Sequence, residues 1–107
     1  MAEIAALIDL LTDLHPGVVH AAALALARIG RREGHFVLTR MLGTAPSDEV
    51  LRALANIAED DDWVRLGQTA MCIPDLAPVV LEVLDESGEP RATAVAQSLR
   101  RRLSGSS

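Results

Sequence analysis

A single thiol at Cys72, three imidazoles at His15, His20 and His35, and the acidic run Glu59-Asp-Asp-Asp62 are the groups in this 107-residue chain that could act as nucleophile, base or ligand. A thiol attacks once a neighbouring base or positive charge lowers its pKa, and that base must itself be oriented by a third group. Cys72 has no orienting motif and the chain has no glycine-rich phosphate loop, so Cys72 is expected in the interior as a small apolar residue. His15 and His20 stand near one turn without a third ligand at helical spacing, which points to capping or surface roles rather than metal binding. The acidic run lacks the spaced, glycine-containing loop of a calcium site. Carboxylates ahead of an apolar stripe suit the positive end of a helix, with Asp61 or Asp62 expected as N-cap. Arg100-Arg-Arg102 could meet an acidic partner or nucleic acid, and equally completes the negative end of a last helix. No catalytic residue, metal or cofactor is expected.

The elements that must position these groups follow from composition. Apolar residues make up 50% of the chain but aromatics only 2%, so the core has to be built from Leu, Val, Ile and Ala. That mixture packs helices better than sheets. Every basic side chain is arginine, and the net charge of -5 disfavours a polyanion as the main partner. One cysteine cannot close an internal disulfide, which suits a reducing compartment. The first residues lack the order of a signal peptide, and no apolar run reaches the roughly 20 residues a bilayer requires. A cytoplasmic protein without membrane contact is expected.

Along the chain, Ile4, Leu7, Ile8, Leu11 and Leu14 form one stripe of a helix over residues 2 to 14, a one-sided cap. His15-Pro-Gly17 then opens a helix that is apolar on every side and reaches Gly30, so it must be buried by several neighbours. Gly30 or Gly34 offers its left-handed exit. A short helix follows over 34 to 43, with Phe36, Val37, Leu38, Met41 and Leu42 as its stripe. Ser47 is the expected N-cap of a fourth helix carrying Val50, Leu51, Leu54 and Ile57. Trp63, Val64, Leu66, Gly67, Ala70 and Met71 mark the apolar side of a fifth. Pro74 ends that helix, Asp75 is the expected cap of a sixth, and Ser87-Gly-Glu-Pro90 separates the sixth from a seventh. A single domain over residues 1–103 and a disordered tail over 104–107 are expected.

Leu7-Ile-Asp-Leu-Leu, the His15-Pro-Gly turn and an alanine-rich helix recur as Val80-Leu-Glu-Val-Leu84, the Gly88-Glu-Pro turn and Arg91-Ala-Thr-Ala-Val-Ala. The first of these hairpins ends Ala22-Ala-Leu-Ala-Leu-Ala-Arg-Ile-Gly30, which resembles the second helix of a HEAT repeat. Asp62 and Val64-Arg65 match that family's Asp and Val-Arg positions, whereas Val19-His20 and Pro90-Arg91 depart from Val-Arg. This register makes residues 47 to 72 a third hairpin and leaves 34 to 43 as an extra helix. A rival register pairs 34 to 43 with 47 to 59 and leaves 62 to 72 unpaired.

The resemblance implies an all-α fold, a short right-handed α-α superhelix of about seven helices. It also implies a non-enzymatic module, an adaptor or regulatory subunit that binds a protein partner on its second-helix face. His20, Arg65, Gln68, Arg91 and Gln97 are the expected contacts there, with Trp63 as anchor. The bland alternative packs Trp63 under the acidic turn and pairs Arg65 with a neighbouring Asp. Self-association stays open, as do a HEAT-like lyase or chaperone acting on a chromophore or modified base and a fragment of a longer solenoid.

Overall fold

Proline, glycine and capping side chains set the helix boundaries. The computed structural model describes residues 2–105, with side chains from Ile4 onward. Among these residues there are seven α-helices and no strand: α1 (Ala2–Leu10), α2 (Pro16–Arg28), α3 (His35–Thr44), α4 (Asp48–Asn56), α5 (Asp60–Cys72), α6 (Ala77–Glu86) and α7 (Pro90–Gly105), with a 3-10 turn at Pro74–Leu76 ahead of α6. They fall into two compact units, Met1–Ile57 and Ala58–Ser107. No helix of the described residues is long and apolar enough to cross a membrane.

In the first unit α2 packs against α1, α3 and α4, as a helix with little polar surface must. Pro16 occupies its first turn, and the helix ends in a Schellman motif. Gly30 takes a φ of +81°, its N–H donates to the Ala27 carbonyl at 3.0 Å, and the Arg31 N–H donates to the Leu26 carbonyl at 2.9 Å. Gly34, the other candidate exit, is instead the N-cap of α3. It lies so close to α2 that a Cβ there would stand 2.8 Å from Ala23 Cα. Leu26, Leu38, Leu51 and Leu54 are fully enclosed. Asn56 Nδ2 donates to the Ala27 carbonyl at 2.5 Å, and Arg28 pairs with Glu49 at 2.6 Å, both tying α4 to α2. Ser47 caps α4 as expected, its Oγ accepting the Val50 N–H at 3.3 Å.

The first helix is shorter than its stripe. It stops at Leu10, and Leu14, expected on the buried side, is 94% exposed. Asp13 Oδ1 accepts the His15 N–H at 2.9 Å, committing the segment to a turn, and a residue before proline avoids helical geometry. Phe36, expected in the α3 stripe, is likewise exposed while Val37, Leu38, Met41 and Leu42 are buried.

The second unit packs α5, α6 and α7 on one another around Trp63, Leu66, Ala70, Val80, Leu84, Ala96 and Leu99. The α5 N-cap is Glu59, not Asp61 or Asp62. Asp62 acts from the third helical position, closing a capping box in which its Oδ2 accepts the Glu59 N–H at 2.9 Å. Asp75 does not cap α6 either. Pro74, Asp75 and Leu76 form the 3-10 turn, which runs into α6 with Leu76 at the cap position and Pro78 in the first turn. Gly88, with a φ of +73°, turns the chain toward Pro90 at the start of α7. That helix runs to Gly105, while Ser106 and Ser107 lie outside the described residues.

The two echoing hairpins are thus α1 with α2 and α6 with α7, each packed as a pair. Between them, α3 packs on α4 within the first unit, the pairing of the rival register. The helix that register leaves unpaired, α5, packs on α6 and α7.

Candidate functional site

Helices α5 and α7 lie side by side and point the same way. Asp60 meets Arg91 at their N-terminal ends at 4.0 Å, and Gly67 meets Val95 midway. Further on, Cys72 and Arg102 line the same groove. A Cβ on Gly67 would fall 2.7 Å from Val95 Cγ1, so the absent side chain is what lets the two helices approach. Above this contact runs an open groove of about 490 Å³, with Val64, Gln68 and Met71 on the α5 side and Val95, Ser98 and Arg102 on the α7 side. It continues toward the N-terminal ends of both helices over Pro90, Arg91 and Ala94.

Two properties distinguish the groove. Val64 and Met71, one heptad apart, are 41% and 44% exposed, so α5 presents an apolar ridge that its own unit leaves uncovered. Covering what remains of each would return on the order of 1 kcal/mol. The second property is charge. None of the carboxylates of this acidic unit lines the groove, whose two charged lining residues are Arg91 and Arg102.

The expected contact residues separate on the structure. Gln68 and Arg91 line the α5–α7 groove. Arg65 is exposed beside it, its Nη1 donating at 2.8 Å to Asp62 Oδ1, and Asp62 is itself 0% exposed. Trp63 is buried, which is the bland alternative and leaves it no free surface to anchor a partner. Gln97 is exposed on α7 without lining the groove. His20 belongs to the first unit, where it lines a smaller recess of about 310 Å³ with Leu14, Phe36 and Arg40.

Val64 and Met71 were placed inside by their apolar character. The available signal was width: apolar residues at 63, 64, 66, 67, 70 and 71 cover more of α5 than one buried face needs. Cys72, also expected inside, is exposed, because it lies off the buried stripe of Trp63, Leu66 and Ala70. Among the described residues no three His, Cys, Asp or Glu side chains converge as metal ligands would. His15 Nδ1 lies 3.1 Å from Asp13 Oδ1 on the surface. The His15 backbone N–H and then its ring hold the Asp13 carboxyl below the usual carboxylate range.

No protein-family model, curated protein or solved structure matches the chain.

Proposed function

We propose that this chain is a non-enzymatic protein-interaction module of the HEAT-like kind, acting in the cytoplasm and using the α5–α7 groove as its contact face. The observation that carries this reading is the exposed Val64–Met71 ridge in a groove lined by no carboxylate of its unit. Such a groove suits the apolar side of a protein segment, and the arginines at its ends favour a segment carrying acids. The pairing of α1 with α2 and of α6 with α7, each second helix opening on a proline, supports the repeat character. An exposed free thiol at Cys72 suits a reducing compartment.

The test is an affinity capture with the immobilised chain, its Met71→Asp variant and its Gln97→Ala variant, retained proteins being identified by mass spectrometry. A protein held by the unaltered chain and by Gln97→Ala, and lost with Met71→Asp at an unchanged melting temperature, is the expected result. Retention of the same protein by folded Met71→Asp would move the contact face away from this groove.

A further inference from the structure

We propose that the recess of the first unit, enclosed by α2, α3 and the turn that joins α1 to α2, binds a small carboxylate with an apolar body. The site is separate from the α5–α7 groove and stands whether or not that groove is a contact face.

Two helices and a turn build the recess. Pro16, Val19 and His20 stand at three-and-four spacing on the first turns of α2, and Phe36, Arg40 and Thr44 follow one another at steps of four along α3, so each set shares one helix face. Gly34 lies against Ala23, which starts α3 beside the middle of α2, and from there α3 runs back past His20 and Pro16. Leu11 and Leu14 of the turn close the third side. These walls are apolar and uncovered. Leu14 is almost wholly exposed, and Phe36, the chain's single phenylalanine, is more than half exposed. The volume of about 310 Å³ lies at the lower end of the range that takes one small molecule. Charge decides which molecule. The titratable residues of the lining are Asp13, His20 and Arg40. Asp13 is engaged within its own turn, its Oδ1 accepting the His15 N–H at 2.9 Å and standing 3.1 Å from His15 Nδ1. The Arg40 guanidinium and the His20 ring, by contrast, form no ion pair or hydrogen bond among the described residues. A guanidinium offers paired N–H groups to one carboxylate, and an imidazole donates an N–H in either protonation state. One guanidinium with a carboxylate on the rim matches a single negative charge. A phosphoryl group, carrying about −1.5 to −2, would bring more charge than Arg40 balances and set it near Asp13. The bound carboxylate would meet Arg40 and His20 while its apolar body covers Phe36, Leu14 and Val19.

Amide NMR titration of the full chain near neutral pH tests the site, with 3-phenylpropionate as probe and 3-phenylpropionamide and 3-phenylpropylamine as its neutral and cationic counterparts. The carboxylate should shift the His20, Phe36 and Arg40 resonances saturably, with a Kd of about 1 mM or tighter for so small a ligand. The amide should bind at least about fivefold more weakly, and the amine more weakly still. Arg40→Gln and Leu14→Ser, both at exposed positions, should each weaken the carboxylate by at least about fivefold at an unchanged melting temperature, whereas Met71→Asp should leave its affinity as it is. Absence of saturable shifts up to about 10 mM overturns the proposal. So does equal binding of the amide or the amine, or full affinity in folded Arg40→Gln. Shifts centred on Val64, Met71 and Val95 instead of the recess would overturn it as well, placing the probe in the α5–α7 groove.

Discussion

Asp62 is the buried charge of the second unit, and its carboxylate carries two duties at once. One oxygen accepts the Glu59 N–H that begins α5, and the other accepts from Arg65 one turn on. Asp62→Ala therefore removes a helix cap and releases an exposed arginine, and should lower stability by about 1–2 kcal/mol in chemical denaturation. Arg65→Ala leaves the capping box in place and should cost visibly less. Two surface carboxylates behave differently. Asp13 is held low by the His15 backbone and ring, and Glu33 by the Arg31 guanidinium, 2.7 Å away. A carboxylate whose folded pKa lies below its unfolded value stabilises the fold above the unfolded value, near 4, and that contribution disappears as pH falls through the folded one. NMR titration over pH should find Asp13 below the ordinary aspartate value and Glu33 below the ordinary glutamate value, and added salt should shrink the Glu33 displacement.

The helices themselves follow from burial. Leu26 is fully enclosed in α2, the helix that packs against α1, α3 and α4, so Leu26→Ala should lower stability by about 2–5 kcal/mol. Arg101→Ala, on the exposed side of α7, should change the same denaturation midpoint hardly at all. Seven helices, the stops at Pro74 and Ser87 to Pro90, the Ser47 cap and the Gly30 exit were legible because each rests on local chemistry that tertiary contacts do not override. The end of α1 was not, since Leu14 continues the apolar spacing and only the Asp13 turn before Pro16 breaks it. The cap of α5 was missed by two or three residues and that of α6 by one, for a related reason. Where several acids or a second proline adjoin a helix start, the 3-10 turn or capping box that forms decides which one sits at the boundary.

Across the molecule, the sequence marks what is apolar but not which apolar residues a small unit can cover. Val64, Met71 and Cys72 continue the composition of α5 inward in the chain, yet three helices enclose only the Trp63, Leu66 and Ala70 side. Gln68 and Arg91 were legible as polar positions off the stripe, and the groove between them became visible only once α5 and α7 were neighbours. The Gly67–Val95 contact gives that groove a mechanical property. Because a methyl on Gly67 would stand 2.7 Å from Val95 Cγ1, Gly67→Ala must turn the Val95 side chain or part α5 from α7, and either changes the width of the groove while every lining side chain keeps its identity. Width can thus be adjusted separately from charge and apolarity, and a ligand that fits by shape should respond to that substitution, whereas one held by Arg102 alone should not.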